Sequence, residues 1–216
     1  MKYIYAGIIV PASIIIPIGA GLIKRSHKHK RLKIIFFYLV FAGIIDIVER
    51  LLGSRHINNL PLLHFYTLVE FLFILRFFQL ILNNLNLLAY RLIAILMYLF
   101  SVFCIINFIF FQSIFQFNSY PRPIAALIII GLSMFYFSSR GEPGDQLSWI
   151  NDPLNWMVSG LLVYFGSSLF HFAFLNILYE KASLKVNFIF GTIHATLVMV
   201  MYLLFAVGFL NAKNER

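Results

Sequence analysis

Long apolar runs, each separated from the next by a few polar residues, make up most of this chain. Seven stand out, at 3–23, 34–53, 61–82, 92–112, 120–138, 153–178 and 187–210. Each is near the ~20 residues an α-helix needs to cross ~30 Å of hydrocarbon. None alternates apolar and polar residues as a barrel strand does, and backbone in lipid must satisfy its own hydrogen bonds. The pattern predicts an all-α polytopic membrane protein, a single seven-helix transmembrane bundle over residues 1–216. Pro11 and Pro17 predict kinks in the first helix. That first run is too long for a signal-peptide core, lacks a small-residue cleavage site and is followed by its basic cluster, so it reads as a retained helix.

Composition strengthens the reading. The chain is 61% hydrophobic and 12% charged, whereas a soluble domain carries about 25% charged residues. The lone cysteine, Cys104, lies within an apolar run and reads as a small buried hydrophobe. The net charge of +9 does not indicate nucleic acid, because no basic folded surface outside the membrane is available to bind it. Six of the seventeen basic residues sit in KRSHKHKRLK at 24–33, between the first two runs. That cluster is a topology signal and a contact for anionic membrane lipids. With the N-terminus outside, ten Lys and Arg fall on the inner side and six, including Arg122, on the outer side. The positive-inside rule therefore predicts an external N-terminus and a cytoplasmic C-terminus. The connection at 139–152 carries Gly and Pro and has no room for a domain.

Ionisable residues inside the runs give the candidate chemistry, because they are costly in hydrocarbon and face bundle interiors or wet cavities. On this topology Asp46, Glu49, His64, Glu70, Asn107, His171 and His194 fall at one level, in the outer half. Arg76 lies apart, near the inner end, where it can snorkel to headgroups. Helical spacing places Asp46 with Glu49 on one face, and His64, Thr67 and Glu70 on another. Trp156, Gly160, Tyr164, Ser168 and His171 share a stripe on the sixth run, as do Asn187, Gly191 and His194 on the seventh. A short connection brings His171 and His194 opposite one another. Three readings of the pair stay open: hydrogen bonding across helices, a divalent metal such as zinc held by His64, His171, His194 and Asp46, and haem ligation. Asp46 and Glu49 either pair with Arg50 and Arg55 or serve a ligand.

Known seven-helix families supply comparisons. Retinal proteins need a lysine in the last helix, and 187–210 has none. The alkaline ceramidase and progestin-receptor superfamily pairs two histidines as His-x-x-x-His in its last helix, whereas GTIHATLVMV offers only His194. Three segments resemble an uncharacterised group of bacterial seven-helix inner-membrane proteins: NNLPLLHFYTLVEFLFILRFF (58–78), NDPLNWMVSGLLVYFGSSLFHF (151–172) and FGTIHATLVMVMYLLFAVGFL (190–210). Members of that group look like the membrane sensing halves of histidine kinases. The resemblance implies a bacterial inner-membrane location, a signalling partner such as a histidine kinase, and interest in His64, Tyr66, Thr67, Glu70, Trp156, Tyr164 and His194.

The leading expectation is a sensory membrane component that binds a small ligand or ion through Asp46, Glu49, His64, Tyr66, Thr67, Glu70, Asn107, Trp156, Tyr164, Ser168, His171 and His194. The alternative is a metal-dependent lipid hydrolase within the membrane, in which Asp46 or Glu49 activates a metal-bound water. A small transporter is third, although the inner halves of the runs are too apolar for a continuous polar path.

Overall fold

The computed structural model describes residues 4–82, 87–139 and 146–212, and the described residues contain helices and connections but no strand. We number the helices α1 (Tyr5–Ile23), α2 (Leu32–Ser54), α3 (Leu60–Leu82), α4 (Leu87–Ile106), α5 (Pro121–Ser138), α6 (Gln146–Asn151), α7 (Pro153–Lys181) and α8 (Leu184–Leu210). Among the described residues six helices are long and apolar enough to cross a membrane: α1, α3, α4 (extended by a π turn, Asn107–Phe111), α5, α7 and α8. A multi-pass membrane protein follows. Helix α2 is as long as α3 but more charged, with Lys33, Asp46, Glu49 and Arg50 along it.

Local chemistry sets the helix ends. At the end of α1, Arg25 adopts φ 53° while Ser26 N–H donates to Gly21 O at 2.7 Å and Arg25 N–H to Leu22 O at 3.0 Å. Helix α2 ends the same way, with His56 at φ 57°, Ile57 N–H on Leu52 O and His56 N–H on Gly53 O. Both are left-handed caps that glycine usually supplies. Asp152 caps α7 by accepting from Leu154 N–H at 2.8 Å, with Pro153 at the first helical position.

The prolines interrupt the hydrogen bonding of α1. Pro17 has no N–H to offer Ser13 O four residues back, and the helix loosens into turns at Ser13 and Ile14. Pro11 likewise leaves Gly7 O without its usual donor, and the Arg50 guanidinium of α2 donates to that carbonyl instead.

Most helices lie close to the sequence expectation, with two differences. Helix α4 begins at Leu87, five residues before 92, because the helix continues through Arg91 and Tyr90. Six residues of the stretch read as a connection, 146–151, form α6. Tyr3, Lys2, Arg140, Lys213 and Arg216, which entered the first run and the charge count, lie outside the described residues.

Helix α8 packs most extensively on α7 and next on α1; α7 also packs on α5, and α2 and α4 flank α3. The α7–α8 approach relies on Gly160 and Gly208. A Cβ on Gly160 would sit 2.9 Å from the Phe205 ring, and one on Gly208 would sit 3.0 Å from Pro153 O. Helix α3 is the most enclosed spanning helix and α4 the least. Cys104 is buried in the core, as its apolar surroundings in sequence imply.

Candidate functional site

Helix α3 carries Tyr66, Thr67 and Glu70 into the bundle, where they meet one another and groups from other helices and from the 112–120 connection. Tyr38 of α2 and Tyr66 both donate to Glu70 Oε1, each at 2.8 Å. On the other oxygen, Arg122 Nη1 of α5 lies 3.4 Å from Oε2. The pair is enclosed, with 9% of the arginine side chain and 3% of the glutamate side chain exposed. Arg122 also donates to Thr67 Oγ1 and to Tyr164 Oη, both at 3.1 Å, and its guanidinium lies 4.6 Å from the Phe172 ring centre. Asn118 donates a further hydrogen bond to Thr67 Oγ1. A buried ion pair lasts only when its remaining donors and acceptors are also satisfied, and this one is satisfied from four helices.

The connection that delivers Arg122 is itself tied down. Gln112 donates to Phe117 O at 2.6 Å and to Ser119 Oγ at 3.1 Å; Asn176 of α7 donates to the same two oxygens. His64 Nε2 sits 2.8 Å from Gln116 O, and its ring stands edge-on to Phe108. These bonds gather the 112–120 connection, the start of α3 and the far part of α7 at one end of the bundle. The opposite end holds Trp156, whose indole donates to Ile150 O, and Asn211, which donates to the same carbonyl.

Beside the ion pair lies a cavity of about 340 Å³. Six helices line it: α1, α2, α3, α5, α7 and α8. Asp46, Glu49 and Arg50 form one polar wall; Tyr38, Tyr66, Arg122, Tyr164, His194 and Tyr202 form the other. Asp46 is bonded to Arg50 at 2.7 Å, an i,i+4 pair on α2. Glu49 has no ion-pair partner among the described residues.

The twelve sequence-predicted site residues divide into groups. Asp46, Glu49, Tyr66, Tyr164 and His194 line the cavity. Thr67 and Glu70 stand behind it in the ion-pair network. Ser168 holds His194 at 3.1 Å, and His171 stacks on His194 with ring centres 4.6 Å apart and planes 16° apart. His64, near the start of α3, bonds the 112–120 connection through Gln116 O. Asn107 bonds Gln112 at 3.4 Å within the same connection region, and Trp156 is at the other end.

The metal set read from sequence is therefore not assembled. Among the described residues no group of three or more His, Cys, Asp or Glu could hold a metal ion. His64 is committed to Gln116 O, Asp46 to Arg50, and His171 and His194 meet face to face. Stacked rings aim their nitrogen lone pairs past each other, so the pair does not grip an ion or a haem iron between them. The expected pairing of Asp46 with Arg50 is present; Arg55 takes no part in it.

Two central residues escaped the sequence reading. Arg122 stands in YPRP at the very start of α5 and was counted as an outer surface charge. Tyr38 is one of several tyrosines in apolar runs. Depth gives no signal for Arg122, because at about 1.5 Å per residue both Arg50 and Arg76 lie nearer the level of Glu70 in the apolar runs.

Removing one tyrosine measures this network. Tyr38→Phe is expected to cost about 1.5–3 kcal/mol, the range for a buried hydrogen bond to a charged group. Tyr38→Phe with Tyr66→Phe should cost more than the sum, because Oε1 then loses every donor. Denaturant unfolding in detergent micelles checks both; additive losses would mean that the two hydroxyls act independently.

The helices and the enclosed ion pair together define a helical membrane protein with a polar cavity inside its bundle. Comparison with protein-family models, with curated proteins and with solved structures finds no match.

Proposed function

We propose that this chain is a seven-helix sensory component of a bacterial inner membrane, with a small ligand binding in the cavity at the outer end of the bundle. Helix α2 is the seventh span. It tolerates its charges because Asp46 and Arg50 neutralise each other and Glu49 faces the cavity instead of lipid. The N-terminus is external on this reading. Arg122 is locked in an internal ion pair and drops from the outer surface count, so the Lys and Arg balance becomes ten inside against five outside.

The observation that carries the reading is the cavity: about 340 Å³ with two acids, two guanidinium groups, tyrosine hydroxyls and an imidazole among the residues that line it from six helices. Binding pockets of small molecules have this mixture of apolar wall and few placed polar groups. Because six helices border one space, a ligand that draws them together shifts their far ends, where the basic 24–31 connection would meet lipid or a cytoplasmic signalling partner such as a histidine kinase.

Filling the cavity tests this. Small amines, amino acids and carboxylates are screened for a rise in unfolding temperature of the purified protein. A true ligand at a hundred times its Kd adds about 2.7 kcal/mol. Ala195 lines the cavity, and Ala195→Phe is expected to abolish each rise. Stabilisation that persists in that variant would place the ligand elsewhere and refute the reading.

A further inference from the structure

The flank of the bundle between α1 and α2 carries an apolar groove of about 570 Å³. Its walls include Gly7, Ile15 and Ile18 on α1 and Val40, Gly43 and Ile47 on α2. On α2 it runs from Val40 to Arg50, ten steps of about 1.5 Å, or about 15 Å along the helix. Carbon–carbon bonds of about 1.52 Å at tetrahedral angles advance about 1.25 Å per carbon, so an extended alkyl chain of about twelve carbons matches that length.

This groove and the inner cavity share a wall. Pro11, Ile14, Asp46 and Arg50 border both. The Asp46–Arg50 pair therefore stands between the lipid side and the polar interior, with Arg50 also bonded to Gly7 O across the top of the groove. Glycines floor the passage. Nothing lies within 4 Å of a Cβ placed on Gly7, and a Cβ on Gly43 would be in ordinary contact with Ile14 at 3.7 Å. Larger side chains there would fill the groove rather than break the packing.

Charge selects the head group. Asp46 is paired with Arg50 and Arg122 with Glu70. Glu49 remains as the one cavity carboxylate without an ion-pair partner among the described residues. Both arginines are already engaged, so an anionic head would have to break a formed pair, whereas a monocation completes the balance.

Resting on the cavity reading above, we propose that the ligand is a single-chain cationic amphiphile, of the long-chain primary amine class. It enters sideways from the membrane between α1 and α2. Its ammonium group meets Glu49 in the cavity and its alkyl chain lies in the groove.

The test uses the full chain in nanodiscs of neutral phosphatidylcholine, with empty discs subtracted. The probes are dodecylamine, butylamine, dodecanol and dodecanoate. Dodecylamine is expected to bind saturably, at least tenfold more tightly than butylamine. Glu49→Gln should weaken both amines at least tenfold. Gly43→Leu should weaken dodecylamine at least tenfold and leave butylamine unchanged, with Gly7→Leu as the second groove variant if Gly43→Leu lowers the unfolding temperature. Equal affinity for the two amines, together with silent groove variants, overturns the lateral entry and leaves the cavity reading standing. Competition by dodecanoate or dodecanol as strong as by dodecylamine overturns the charge assignment. Amine binding that survives Ala195→Phe refutes the cavity reading as well.

Discussion

Arg122→Gln is expected to lower the unfolding free energy by about 3–5 kcal/mol, the cost of leaving one partner of a buried ion pair alone. Glu70 would keep its two tyrosine donors on Oε1 but lose its counter-charge on Oε2. The guanidinium also joins Thr67 and Tyr164, so contacts between α3, α5 and α7 fall together. The informative comparison is with Glu70→Gln and the double variant. Glu70→Gln strands the arginine and should be similarly harmful. Combining the two removes both charges and should recover much of the loss, because uncharged replacements of buried pairs are often tolerated. Denaturant titrations of all four proteins in one detergent give the coupling energy. A double variant no more stable than the worse single would show that hydrogen-bond geometry, and not charge balance, holds this centre.

Gly208→Leu is the second large effect. Its Cβ alone would lie 2.9 Å from Met157 Cε, 3.0 Å from Pro153 O and 3.3 Å from Trp156 Cβ. The methionine tip can move; the carbonyl belongs to the first turn of α7 and cannot move without shifting the helix. Overpacking of this kind costs about 1–3 kcal/mol, and more where backbone must yield. In a membrane, close approach through small residues supplies much of helix association, so α7 and α8 would separate. Gly131→Ala is the control. Nothing lies within 4 Å of its Cβ position, and alanine in a helix gains about 0.5–1 kcal/mol over glycine. Thermal unfolding of both variants should move in opposite directions; equal losses would show that the close contact with Pro153 O is not what makes position 208 sensitive.

Helix positions were legible in the sequence because apolar length alone sets them. Helix α7 starts at Pro153 as the run does, and α3 needs only one residue more than 61–82. Faces were partly legible. Spacing put Tyr164 and Ser168 on one stripe of α7, and Ser168 does hold His194 across the helix gap. Partnership between helices was not legible. Spacing within α3 says which face Glu70 shares with Thr67, but it does not say that Arg122, fifty-two residues later, reaches the same point. Prolines on both sides of Arg122 and a connection tied by Gln112 and Asn176 decide that. The metal reading failed for the same reason. Common depth fits the meeting of His171 and His194 but does not give their ring orientation, and depth does not show that His64 turns its Nε2 to a loop carbonyl.

The bond from Arg50 to the Gly7 carbonyl has a consequence for how α1 can change over time. The acceptor is backbone, so every residue type at position 7 supplies it equally. What creates the vacancy is Pro11, one turn away, by withholding an N–H. Drift at position 7 therefore leaves this tether unharmed, while loss of the proline would return the carbonyl to the helix and set Arg50 in competition with it. The attachment of α1 to α2 is thus recorded at positions 11 and 50, and position 7, where the bond is made, is free to vary as far as this contact is concerned.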